Sequence, residues 1–183
     1  MFKILFVSSF LGLTLAYNRT LPYSALEGCK EHRIESGYVY TAFRISEFKN
    51  NKPLYNEVFR LKFYVFCHSN GLILISNNPN VQSGDSAYEI VLGGWDNSKS
   101  AIRNATEGRN LYEKGGPVCS PLYPTEVIVS LTKDGLLSVV LPGFQTPFMF
   151  LQDSQPSYNK FVAFSSWKGN AARWFYDCPY YRH

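Results

Sequence analysis

The sequence predicts an all-β fold, an antiparallel β-sandwich closed by disulfides, and three observations carry that prediction. Apolar residues recur at every second position wherever a pattern can be read. Aromatic residues make up 16% of the 183 residues, with 14 Phe and 13 Tyr against only 2 Met, a composition that suits pleated, half-buried strands. No stretch carries a sustained apolar stripe at the 3.6 spacing of a packed helix. With 45% apolar and 17% charged residues, the chain is long enough for one compact domain with its own core, and disorder, collagen and coiled coil are excluded. The 18 basic and 14 acidic residues, net +4, are dispersed and give no reason to expect a nucleic-acid partner.

Taken in order, the chain begins with a short basic start, Met1-Phe2-Lys3, followed by a mostly apolar run from Ile4 to Leu15 and small residues around Ala16. That pattern predicts a signal peptide over residues 1–16 and a secreted, extracellular mature protein. The run falls short of the roughly 20 apolar residues a membrane-spanning helix needs, and no later stretch approaches that length, so no membrane span is expected. Residues 17–28 read as an N-terminal arm and 29–183 as a single β-sandwich domain.

Strands are expected around Gly37 to Ile45 and from Phe59 to Cys67. In the latter, Phe59, Leu61, Phe63, Val65 and Cys67 share one face and Arg60, Lys62, Tyr64, Phe66 and His68 the other. Ser69-Asn70-Gly71 turns the chain into Leu72 to Ser76. Ala87 to Leu92 alternates again, with Tyr88, Ile90 and Leu92 opposite Glu89 and Val91. The pair Gly93-Gly94 then marks a bulge or a close backbone approach. Only Asn97 to Arg109 could form a helical turn or two, and it lacks a sustained apolar stripe at 3.6 spacing. Glu126 to Lys133, Asp134-Gly135 and Leu136 to Leu141 form a predicted hairpin with a two-residue turn. Further strands fall around Phe148 to Leu151, Phe161 to Ser165 and Arg173 to Asp177. About nine strands without long helices argue for a sandwich and against a doubly wound sheet.

Cys29, Cys67, Cys119 and Cys178 lie 38, 52 and 59 residues apart in chain order, with no C-x-x-C pair to chelate zinc or exchange thiols. Two disulfides are expected in an oxidising compartment. Of three possible connectivities, Cys29–Cys178 with Cys67–Cys119 is favoured because domain termini tend to lie close together. The sequons Asn18-Arg19-Thr20 and Asn104-Ala105-Thr106 are candidate glycosylation sites.

Residues with catalytic potential are sparse. His32, His68 and His183 lack metal-ligand spacing, so no metal is expected, and His68 is expected to face solvent. There is no nucleophile elbow and no P-loop. Glu89 and Asp96 could form a carboxylate pair, but acids in a strand and its following turn read as solvated face residues. S-adenosylmethionine would ordinarily call for a glycine-rich turn opening a long helix. Gly93-Gly94 runs instead into Trp95-Asp96-Asn97-Ser98, so no catalytic residue and no cofactor is predicted.

The stretch from Tyr88-Glu89-Ile90 through Gly93-Gly94-Trp95-Asp96-Asn97-Ser98 to Ile102-Arg103 resembles the core signature of the farnesoic acid O-methyltransferase domain family. The Asp-Gly hairpin at 126–141 is similar to that family's later hairpin, and Ser166-Trp167, Gly169 and Trp174-Phe175 are similar to its closing pattern. The resemblance covers roughly Val58 to Asp177. Asp96 stands where glycine is common in the family. The resemblance implies methylation of farnesoic acid with S-adenosylmethionine as one activity. It equally implies a non-catalytic module, since such domains occur in many secreted or multidomain animal proteins.

The signature residues admit two readings. In one, Tyr88, Ile90, Leu92, Trp95 and Ile102 are core, and Arg103 pairs with a carboxylate such as Glu89. In the other, Trp95, Asp96, Asn97, Ser98 and Arg103 line a concave surface that reads a polar ligand. Planar polar groups can meet sugar hydroxyls while an aromatic ring meets the apolar ring face. Trp167 and Trp174 carry the same two readings, and Trp167 joins the candidate ligand-binding set. This residue mix on a sandwich resembles jelly-roll, lectin-like folds, and points to a glycan or an extracellular protein as partner.

Overall fold

The computed structural model describes residues 21–82, 85–156 and 160–180. The expected signal segment, Asn18 and His183 lie outside these residues. Twelve strands are present among them: β1 (Lys30–Ile34), β2 (Thr41–Arg44), β3 (Glu57–Cys67), β4 (Gly71–Ser76), β5 (Ala87–Gly93), β6 (Lys99–Arg103), β7 (Asn110–Gly115), β8 (Thr125–Thr132), β9 (Leu136–Val140), β10 (Met149–Gln152), β11 (Phe161–Ser166) and β12 (Ala172–Tyr176). They form two six-stranded sheets, the first in the order β1-β12-β3-β8-β9-β10 and the second in the order β2-β11-β4-β5-β6-β7. Every strand pairing is antiparallel. The fold is the predicted all-β antiparallel sandwich.

The alternation of β3 sorts its residues as expected. Phe59, Leu61, Phe63, Val65 and Cys67 enter the core between the sheets, together with Ile73, Ile75, Tyr88, Ile90 and Leu92 from the second sheet. Trp174 is buried there at 0% exposure, stacked on Phe164 at 4.9 Å between ring centroids. Both expected disulfides are present, Cys29–Cys178 and Cys67–Cys119.

Each sheet also covers its outer face. On the first, Tyr64, Phe66 and Phe175 are buried against Leu21, Ala25, Leu26 and Cys29. On the second, Leu72, Val91 and Ala101 lie under Tyr38 and Tyr40, with Leu74, Ala87 and Ala163 beside them.

Several local expectations are corrected. Residues 99–103 form strand β6 rather than a helical turn. The central Ser100, Ala101 and Ile102 are buried on both faces, and the strand is held between β5 and β7, a tertiary context that outweighs its local pattern. Strands β1 and β7 lie outside the expected set, because Lys30-Glu31-His32-Arg33 and Glu113-Lys114 are runs of polar residues without apolar alternation. The β8–β9 turn has three residues, Lys133-Asp134-Gly135. Gly135 alone has a positive φ, of 91°, as in a type I turn closed by a left-handed residue. A Cβ there would collide with the carbonyl of Asp153. No helix of the described residues is long and apolar enough to cross a membrane.

Candidate functional site

The site begins with sheet register. Leu72 pairs with Val91, and Val91 with Ala101, giving an apolar row across the outer face of the second sheet. Two residues along, Leu74 pairs with Glu89 and Glu89 with Arg103 on the same face. Glu89 is therefore opposite a cation by register alone, the arrangement in which cross-strand charges attract.

Glu89 is 0% exposed, which corrects the expectation of a solvated acid. The covering residues come from about fifty positions upstream. Tyr38 and Tyr40 donate their phenolic hydrogens to Oε1, the latter at 2.7 Å. Arg103 Nη1 donates to Oε2 at 2.8 Å and the Glu107 backbone N–H at 3.2 Å. A buried carboxylate requires such partners, since an uncompensated one is strongly destabilising. Burial, reinforced by the neighbouring carboxylate, pushes both phenols well above their ordinary range, so Tyr38 and Tyr40 remain donors.

The β5–β6 connection carries the signature. Gly93 has φ 56°, and a Cβ there would run into Asn97 Oδ1 and lie 3.0 Å from Cys119 Sγ. Trp95, Asp96 and Asn97 follow with φ of 50°, 56° and 63°, three consecutive non-glycine residues in left-handed geometry. Each costs on the order of 1 kcal/mol, least for Asn and Asp. Asp96 thus takes the backbone conformation that a glycine would favour at its position.

Asn97 holds this turn in place. Its Oδ1 accepts the N–H groups of Val118 and Cys119, each at 2.9 Å, and its Nδ2 donates to the Cys119 carbonyl at 2.9 Å. Cys119 is in turn bonded to Cys67 at the end of β3. Lys99 Nζ lies 4.1 Å from the Trp95 ring centroid and Arg103 Cζ 5.4 Å, so cation–π attraction also fixes the indole.

The result is a cleft of about 370 Å³. Leu72 and Val91 form its apolar floor, Trp95 and Trp167 its aromatic walls, and Asn70, Asp96, Arg103 and Glu107 its polar rim. Trp95 is 40% exposed and Trp167 38%, so neither indole belongs to the core. Trp167 packs edge-on against Tyr38 at 5.2 Å.

Of the six candidate ligand-binding residues, four line the cleft: Trp95, Asp96, Arg103 and Trp167. Asn97 turns inward onto residues 118–119, as described. Ser98 is exposed outside the lining; its backbone N–H closes the turn onto Gly94 and Trp95 carbonyls, and its carbonyl accepts Gly116 N–H at 2.8 Å. Sequence reasoning missed Asn70 and Glu107. Both have positive φ, of 56° and 54°, and the Asn70-Gly71 and Glu107-Gly108 turns were the available signal.

A second groove of about 360 Å³ adjoins Phe66, His68, Pro121 and Arg173 on the first sheet. His68 is exposed, as expected. The Arg173 guanidinium is already engaged by Glu31 at 3.0 Å and lies over the rings of Phe66 and Phe175.

Among protein-family models, the one described as Farnesoic acid O-methyl transferase matches residues 34–180. Comparison with curated proteins found no match. Among solved structures, the chain is similar to a Bacillus licheniformis β-glucanase at 11% identity and TM-score 0.48, covering 67% of this chain and 66%, just under two thirds, of that one. It is similar to a prokaryotic β-1,3-1,4-glucanase (lichenase) derived from a mouse hindgut metagenome, at 10% identity and TM-score 0.47 over 76% and 79% of the two chains. It is also similar to the carbohydrate recognition domain of Emp47p, at 9% identity and TM-score 0.45 over 90% and 92%.

Proposed function

The chain belongs to the farnesoic acid O-methyltransferase domain family, and from that premise we propose that it is a secreted, non-catalytic recognition module whose outer-face cleft binds carbohydrate. One observation carries the reading. Six non-glycine residues among those described have positive φ, namely Asn70, Trp95, Asp96, Asn97, Glu107 and Asp177, and all but Asp177 belong to the cleft or the turn beneath it. Costly backbone geometry tends to gather where a binding surface needs it. Here it presents an exposed indole and polar rim groups above an apolar floor.

That combination suits a sugar. The C–H face of a pyranose packs on an indole, while hydroxyls exchange hydrogen bonds with carboxylate, amide and guanidinium groups. Arg103 is committed to Glu89 and Asn110, which makes it a rigid wall rather than a mobile reagent. The Gly93-Gly94 pair connects two antiparallel strands, unlike the strand-to-helix turn that cradles a nucleotide-like cofactor. The two disulfides accord with an oxidising compartment and with the signal peptide expected over residues 1–16.

The test is a glycan array probed with the mature protein, alongside Trp95→Ala and Trp167→Ala. Each substitution is expected to weaken binding about tenfold or more, about 1.4 kcal/mol, with a smaller loss of thermal stability because neither indole belongs to the core. Absence of binding to every glycan overturns the carbohydrate reading. Formation of methyl farnesoate from farnesoic acid and S-adenosylmethionine by the purified protein overturns the non-catalytic one.

A further inference from the structure

The loop between β6 and β7 carries the sequon Asn104-Ala105-Thr106, and Asn104 is exposed. The loop is pinned. Glu107 N–H donates to Tyr38 Oη at 3.1 Å and to Glu89 at 3.2 Å, and Gly108 N–H closes onto the Ala105 carbonyl at 3.1 Å. Arg103, one residue before Asn104, and Glu107, three after it, both line the cleft. Asn104 is thus an exposed residue of an anchored loop, flanked in sequence by two residues of the cleft lining.

We propose that Asn104 carries an N-linked glycan that overhangs the cleft and restricts access to Trp95 and Trp167. Attachment uses a lipid-linked oligosaccharide. Asn104 Nδ2 forms a bond to the anomeric carbon, the carbon–oxygen bond to the lipid pyrophosphate breaks, and the amide loses one proton. The product is a bulky hydrophilic chain on a fixed loop, so the glycosylation state of one residue tunes how open the cleft is. This rests on the secreted part of the proposed function, which brings the chain to the glycosylation machinery, and on the cleft geometry, but not on carbohydrate binding.

The chain supplies its own probe. It has 3 Trp; Trp174 is 0% exposed, whereas Trp95 and Trp167 are 40% and 38% exposed. Collisional quenching by acrylamide therefore reports on the cleft. Full-length protein is secreted from animal cells in an Asn18→Gln background, which leaves Asn104 in the sole sequon, and its mass is measured before and after native treatment with a peptide N-glycosidase. The expected results are a glycan mass on Asn104 and a shallower quenching slope before treatment than after. Thr106→Ala, which removes the sequon and keeps Asn104, is expected to match the treated protein. Absence of glycan on Asn104, or identical slopes with and without it, overturns the proposal. No ligand enters this readout, so its failure is distinct from failure of the glycan array.

Discussion

The two sheets cover their outer faces by opposite means. Over the first sheet, Leu21, Ala25 and Leu26 pack on Tyr64, Phe66 and Phe175, and Cys29–Cys178 closes the cover covalently. Over the second, two tyrosines reach a buried carboxylate that is also paired with Arg103. An apolar cover is non-directional and gains with every contact it adds. A polar cover must satisfy each donor and acceptor, so it stops where its partners stop. The hydroxyls of Tyr38 and Tyr40 end at Glu89 and their rings cover only part of the neighbouring row, so Leu72 and Val91 also floor the cleft.

The largest test of this contrast is Glu89→Ala. It leaves two half-buried phenols without their acceptor and Arg103 with Asn110 alone, and breaking a buried pair from one side costs about 3–5 kcal/mol. Urea denaturation should show that loss, together with weakened glycan binding as the Tyr38 and Glu107 segments lose their anchor. A cost below 1 kcal/mol would mean that the polar cover is held by something other than the carboxylate.

The counterpart on the first sheet is Cys29→Ser with Cys178→Ser. Opening that bridge removes a constraint on the unfolded chain and should cost about 2–4 kcal/mol. Glycan binding should survive in the protein that remains folded, because the cleft lies on the other sheet. If binding fell as far as in Glu89→Ala, the two covers would be coupled and the contrast would fail.

The same contrast explains what could be read from the sequence. The inner faces of β3 and β5 were legible because their alternation is local, and the cysteine pairing followed from chain ends meeting across one domain. The cleft was legible in part: Trp95, Asp96, Arg103 and Trp167 stand in or near recognisable motifs. Glu89 was misread as solvated because Tyr38 and Tyr40 lie far upstream, in a segment whose own pattern resembles a strand. Ordinary side-chain chemistry suggested that Asn97 would face a ligand. Only the left-handed turn, which no periodicity announces, sends it back onto Cys119.

Asn97 therefore offers the finest test, because it separates the backbone cost of the cleft from its hydrogen bonding. In Asn97→Ala, two N–H groups and one carbonyl of residues 118–119 lose their partner, and a Cβ residue less tolerant of positive φ than Asn remains. The expected loss is about 1–3 kcal/mol, with a red shift of tryptophan emission as Trp95 loosens. Asn97→Gly loses the same bonds but suits the left-handed conformation, recovering about 1 kcal/mol of the backbone cost. Asn97→Asp keeps, in charge-assisted form, the oxygen that accepts Val118 and Cys119 N–H, and sets its other oxygen against the Cys119 carbonyl in place of a donor; the two strengthened bonds should outweigh that repulsion and leave it the mildest. Stability in the order Asp, Gly, Ala, measured by thermal unfolding, would identify hydrogen bonding as the larger share. If Gly proved milder than Asp, backbone strain would dominate, and the turn would be limited by its φ angles more than by its clamp.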